Sequence, residues 1–243
     1  MMKKAHAPVL VIAAHPDDEV LGCGGTIGWH TKQGHEVHVL VLGEGATSRG
    51  SDPRGRNRVK EVRALDRAVC EAARALGVKE VHRAHFPDNR FDSVALLDVV
   101  KAVEQVVTAV RPGRIYTHHA GDLNIDHRIV HQAVLTAARP QPGSSVTTVL
   151  AFEVPSSTEW QGAGSDVPFL PQVYVDITST LSRKLKALKY YESEMKPYPH
   201  ARSFHSVEII AKRWGLNVGL EAAEAFMMVR DVIRADTNLA SRR

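Results

Sequence analysis

Six apolar residues, 9–14, run directly into His15-Pro16-Asp17-Asp18-Glu19, and this junction limits the fold of the chain more than any other stretch. A continuous apolar run of this kind suits a strand buried on both faces of a parallel sheet. Pro16 ends it, because proline has no N–H to give the ladder. His15, Asp17, Asp18 and Glu19 therefore follow the carboxyl end of a first strand, the edge at which open α/β sheets hold ligands. Four ionisable groups beside a buried strand are costly to desolvate without a partner. Imidazole with carboxylate suits Zn²⁺, with Fe²⁺ and Ni²⁺ as alternatives. Acidic residues also favour the first turn of a helix, and proline its first position, which accounts for Glu19 without any ligand. A capping turn does not require a histidine.

Strand and helix signals alternate behind this junction. Apolar runs at 9–14, 37–42, 81–86 and 115–117 read as strands. Between them, 22–33, 57–76 and 94–110 read as helices, the second with a helical period through Val59, Val62, Leu65, Val69, Ala72 and Leu76 and with Gly77 as its C-cap. Residues 43–55 form a Gly-, Ser- and Pro-containing loop, 87–90 a turn, and 126–139 a helix closed by Pro140. This βα alternation predicts a single Rossmann-like α/β domain, with a mostly parallel sheet and helices on both faces. The order loosens afterwards: strands are expected at 146–154 and 173–177, a long loop at 156–171, and helices at 178–193 and 204–214. No linker divides the 243 residues, so they read as one domain, 1–140 a βα core and 141–243 a part that shapes the substrate site.

The fourth strand ends in a second cluster, His118-His119-Ala120-Gly121-Asp122-Leu123-Asn124-Ile125-Asp126-His127, with His131 one helical turn further on. Loops after neighbouring parallel strands meet at one sheet edge. Either His127 or His131 could complete a His/Asp/His set, and three protein ligands leave a position open, as in a catalytic metal site. His131 also suits a supporting role behind the ligands. Of His118 and His119, one is expected to be buried and structural.

Composition excludes several alternatives. Two cysteines give neither a disulfide framework nor a metal-binding pair, which suits a reducing compartment and a cytoplasmic location. The apolar run near the start is too short for a leader and reads as a strand, and no segment has transmembrane length. The net charge of +4 is modest and rests partly on Lys3, Lys4, Arg242 and Arg243. Arg49, Arg54, Arg56, Arg58 and Arg63 form a basic stretch without interleaved aromatics, which argues against nucleic acid and for a solvated helix face with substrate anchoring. Self-association is left open.

The segment from Ala14 to Glu19, followed by Gly22, Gly24 and Gly25, resembles the opening motif of the LmbE/PIG-L-like de-N-acetylases. Asn124-Ile125-Asp126-His127 is similar to that family's later His-Pro-Asp-His motif, and Leu76-Gly77-Val78 and Phe86-Pro87-Asp88-Asn89 extend the likeness to about residue 140. The resemblance implies a zinc hydrolase that removes acetyl groups from N-acetylated amino sugars or sugar conjugates. It implies His15, Asp18 and His127 as metal ligands, a metal-bound water as nucleophile and Asp17 as general base. Asn124 and Asp126 join Asp17 as candidate catalytic residues. Asn124 stands where the family often has histidine, and an amide cannot deliver a proton at neutral pH. The general acid is then Asp17 itself, or His119, His131 or His200 assists. Arg58, Arg63 and Arg67 compete for the family's substrate-binding arginine. Asp88, His200 and Arg202 are further candidates to bind substrate, and Trp160, Phe169 and Phe204 to line its pocket.

Two rival readings compete. Gly22-Cys23-Gly24-Gly25-Thr26-Ile27-Gly28, with Glu44 after the second strand, imitates the fingerprint of an NAD(P)-dependent oxidoreductase. That fingerprint needs glycine at Ile27, and the carboxylates after the first strand would repel a pyrophosphate. A non-catalytic metal- or sugar-binding protein on the same fold is the other rival.

Overall fold

The computed structural model describes residues 6–46, 56–162 and 167–234. Lys3, Lys4, Arg49, Arg54, Arg242, Arg243 and most of the loop expected at 43–55 lie outside them, as does the side chain of Arg56.

One sheet of seven strands organises the described residues, in the order β3-β2-β1-β4-β5-β7-β6. The strands are β1 (Val9–Ala13), β2 (Val37–Gly43), β3 (Glu80–Phe86), β4 (Arg114–His118), β5 (Thr148–Phe152), β6 (Val173–Asp176) and β7 (Ala223–Asp231). β3, β2, β1, β4 and β5 run parallel. β7 is antiparallel to both β5 and β6. The helices are α1 (Asp18–Lys32), α2 (Arg56–Leu76), α3 (Leu96–Val110), α4 (Ile125–Ala137), α5 (Leu181–Leu188) and α6 (Phe204–Leu216).

Alternation along the strands divides the core. Val9, Val11, Val39 and Val41 face Leu21 and Ile27 of α1, Val69 and Leu76 of α2, and Leu188 of α5. Leu10, Ile12, Leu40 and Leu42 face Val99 and Val103 of α3 and Val130 and Val134 of α4. Each such side chain, fully buried, contributes about 1.5–3 kcal/mol. The expected single α/β sheet with helices on both faces is what the chain forms. β7 was not anticipated, α1 starts a turn earlier than expected, and the helix expected at 178–193 is α5 followed by a 3₁₀ turn, Lys189–Tyr191.

The chain steps from β1 outward to β2 and β3, then returns to place β4 on the other side of β1. The strand order therefore reverses between β1 and β4, the switch point at which such sheets open a crevice. Both charged clusters follow those two strands.

Candidate metal centre

Pro16 breaks β1, and Asp17 turns the chain into α1 at φ 105°. A non-glycine residue held there costs about 1–3 kcal/mol and persists only where its surroundings demand it. The surroundings are visible. Glu19 Oε2 accepts the Asp17 backbone N–H at 3.1 Å. The Glu19 Oε1 oxygen accepts from the Tyr191 hydroxyl at 2.5 Å. Asp17 stands at the N-cap of α1 without capping it through its side chain. Its Oδ2 accepts from Arg202 Nη1 at 2.9 Å instead.

Asp18, one residue on, faces the opposite way, toward imidazoles. Its Oδ2 lies 3.2 Å from His15 Nδ1 and 3.2 Å from His127 Nε2. The Asp18 Oδ1 oxygen is buried without a hydrogen-bond partner. Buried polar atoms are rarely left so. One donor atom each from His15, Asp18 and His127 lies within 4.8 Å of the others, and all three residues are buried. A second set, His15, Asp88 and Asp126, shares His15.

The carboxylates behind the imidazoles favour the first set. Asp126 Oδ2 bonds His15 Nε2 at 3.0 Å, leaving Nδ1 toward Asp18. Asp122 Oδ1 lies 3.1 Å from His127 Nδ1, leaving Nε2 toward Asp18. A carboxylate on the far nitrogen fixes the tautomer and orientation of a ligating histidine. Asp122 is itself fixed by the Ser157 hydroxyl, by Thr158 Oγ1 at 2.5 Å and by the Asn124 backbone N–H at 2.9 Å. Asp126 Oδ1 also accepts from the Phe91 N–H at 3.0 Å.

Electrostatics point the same way. Burial alone would lower the His15 pKa, but Asp126 and Asp18 hold it up at about 10. Burial likewise opposes protonation of His127, and Asp18 and Asp122 hold it up at about 9. Burial would raise Asp18, but His127 and His15 keep it well below the usual carboxylate range. The carboxylates thus draw protons onto the imidazoles, and metal binding displaces such protons. These residues fit a divalent cation. Asp17 differs: burial among Asp18, Glu194 and Glu19 pushes it up to about 8, against the pull of Arg202. A cation beside it would act in the same sense as Arg202.

The remaining candidates divide. Asp88, expected to bind substrate, lies 3.2 Å from His15 Nε2, inside the centre. Arg202 is taken up by Asp17, and His200 adjoins it, its Nδ1 accepting the Arg202 N–H at 3.0 Å. Asn124 caps α4, its Oδ1 accepting from the Asp126 N–H at 2.8 Å, and its amide donates to Asn89 at 2.9 Å. Arg58 bonds Glu44 at 2.8 Å just past β2, while Arg63 and Arg67 are exposed on α2. His118 is buried and accepts the Ala14 N–H at 2.8 Å. The rings of His119 and His131 each bond a backbone carbonyl, Val167 and His118, at 2.8 Å. Burial lowers the pKa of both.

Beside the centre a cavity of about 300 Å³ is lined by His119, Glu153, Thr158, Phe169, Arg213 and Trp214, among others. Trp160 packs edge-on against His200, ring centroids 5.6 Å apart. Sequence reasoning missed Ser157, Thr158 and Tyr191, because no spacing links them to the residues they hold. Asp122 lay within the quoted second cluster, and its position before a histidine-bearing helix was the available signal.

A family model described as PIG-L: GlcNAc-PI de-N-acetylase matches residues 10–138, which contain both clusters. The chain is 32% identical over 186 residues to "Uncharacterized deacetylase YaiS" of Escherichia coli K12, covering 76% of this chain and 90% of that protein. It is 30% identical over 199 residues to the diacetylchitobiose deacetylase of Thermococcus kodakarensis, covering 76% and 69%. Among solved structures it is similar to GalB, the 4-carboxy-2-hydroxymuconate hydratase of Pseudomonas putida, with TM-score 0.73 and 23% identity over 95% of this chain and 99% of that one. This last likeness is one of fold.

Proposed function

The chain belongs to the PIG-L family of GlcNAc-PI de-N-acetylases, and from that premise we propose that it is a zinc-dependent hydrolase that removes the acetyl group from an N-acetylated amino sugar or sugar conjugate. One observation carries the mechanism: Asp17 and Asp18, adjacent in sequence, face different partners. Asp18 faces two imidazoles and retains a buried oxygen without a partner. Asp17 faces Arg202.

His15, Asp18 and His127 would hold the cation. When bound, it supplies Lewis acidity, lowering the pKa of water to roughly 7 and polarising an acyl oxygen. Asp126 and Asp122 keep His15 and His127 turned toward it. Asp17 takes the proton of the attacking water. Arg202 orients the Asp17 carboxylate and favours its charged form. The same carboxyl then returns a proton to the leaving amine. His119 and His131 suit that step poorly, because burial holds both neutral. Asn124 serves by starting α4, and so by placing Asp126 and His127. The adjacent cavity, with Trp214 and Phe169 as flat apolar walls and Glu153 and Arg213 as polar groups, receives the sugar.

A panel of N-acetylglucosamine, N,N′-diacetylchitobiose, nucleotide- and lipid-linked N-acetyl sugars and N-acetylated antibiotic precursors tests the reading by acetate release. Acetate should appear in equal amount with free amine. Chelation should abolish it and Zn²⁺ restore it. No acetate from any member with the metal-loaded enzyme would overturn the assignment. Hydration of an unsaturated carboxylic acid by the same preparation would point to chemistry like that of the hydratase of similar fold.

A further inference from the structure

A second histidine cluster lies away from that centre. His38 on β2 and Glu80 on β3 are direct register partners, and His82 stands two residues further along β3. His38 Nδ1, His82 Nε2 and Glu80 Oε2 form a triangle. The nitrogens are 3.4 Å apart, and the oxygen is 3.6 Å from the first and 3.8 Å from the second. All three separations exceed the usual 2.7–3.2 Å of an N–H hydrogen bond. They approach instead the edge of a tetrahedron around zinc, about 3.3–3.4 Å for bonds of about 2.0–2.1 Å. The imidazoles are near-parallel, 17° between planes. His38 is buried, which fixes one vertex, while Glu80 is exposed, which leaves a fourth position to water. One donor atom from each lies within 4.8 Å of the others.

We propose that His38, Glu80 and His82 form a second divalent-cation site that clips the edge strand β3 to β2. Two imidazoles and one carboxylate suit Zn²⁺ best among abundant divalent ions. The site is separate from the catalytic centre. Gly43, at the other end of β2, lies against the His15 ring. Five steps along the strand separate it from His38, roughly 16 Å. β3 is the outermost strand on that side and pairs only with β2. It leads into the segment that carries Asp88 to His15. A cation at its start therefore steadies an edge element that ends in the active site.

Holoenzyme carrying its catalytic equivalent of zinc is titrated with further Zn²⁺ by calorimetry and metal analysis. Wild type should take up a second equivalent, and its thermal midpoint should rise as it does. His82→Ala should bind one equivalent in total, with acetate release unchanged. Glu80→Gln, at an exposed position, should weaken the second equivalent by about tenfold or more, since affinity follows ligand charge. Asp18→Asn should lose the catalytic equivalent and keep this one. A single equivalent in wild type, two in His82→Ala, or unchanged affinity in Glu80→Gln overturns the proposal.

Discussion

Asp17 stands at the N-cap of α1, yet its carboxylate bonds Arg202 and caps no helix N–H. The capping explanation for this acidic turn therefore does not account for it. Asparagine tolerates positive φ, and its carbonyl oxygen can still accept from Arg202, so Asp17→Asn should fold and keep its metal. It cannot take a proton from water. Turnover should fall by roughly 10²–10⁴-fold, measured as acetate release at constant zinc content. Near wild-type turnover would make Asp17 structural and refute the proposed base. At this scale the cluster was legible: His15 and Asp18 follow a buried strand, His127 follows the fourth strand, and the structure brings the three together. The supports were not. Ser157 and Thr158 hold Asp122 from a loop whose composition says only that it is a loop, and Tyr191 reaches Glu19 from 172 residues away.

Helix α1 shows what sequence pattern could and could not say about an element. Its glycines let it approach the sheet and its neighbours closely: a Cβ on Gly22 would sit 2.3 Å from the Phe152 ring of β5, and one on Gly25 2.7 Å from Ile177. In mid-helix, Glu224 of β7 accepts the backbone N–H of Gly25 at 2.9 Å and of Thr26 at 2.7 Å. Lys184 of α5 donates to the Leu21 carbonyl at 2.7 Å and to Glu224 at 2.6 Å. A buried ion pair between α5 and β7 thus ties both to the backbone of α1, three elements in all. β7 itself was invisible to periodicity, because Ala223-Glu224-Ala225-Phe226-Met227-Met228 combines weak strand formers with good helix formers. Only its antiparallel place between β5 and β6 makes it a strand. Glu224→Ala leaves Lys184 buried without its counter-charge and two mid-helix donors without their carboxylate. A cost of about 3–5 kcal/mol is expected, read from urea unfolding. A loss below 1 kcal/mol would show that water replaces the carboxylate and that the three elements hold without it.

The whole molecule separates its charged chemistry from another buried histidine, His30, by the length of the sheet. The clusters that carry His15, Asp18 and His127 follow the carboxyl ends of β1 and β4. At the amino ends of the same strands, His30 of α1 is buried beside a cavity that Val9, Arg114 and Thr148 also line. Its Nε2 bonds the Tyr116 hydroxyl at 3.0 Å and its Nδ1 the ring of His35 at 2.8 Å. Among the described residues no carboxylate bonds it. Burial pushes its pKa down from 6.5 to about 3, with Arg114 and His35 adding to the fall. The folded chain therefore keeps His30 neutral where the unfolded chain protonates it. Stability from this residue is complete above pH 6.5 and is lost as pH falls toward 3, because the unfolded state binds the extra proton. The slope is at most about 1.4 kcal/mol per pH unit within that window. Urea unfolding of wild type and His30→Gln at pH 7 and pH 5 isolates the effect, since acidic groups elsewhere titrate alike in both. The drop in stability between the two pH values should be smaller in the variant by up to about 2 kcal/mol. Equal drops would mean that His30 is protonated in the folded protein, with water entering the cavity beside it to carry the charge.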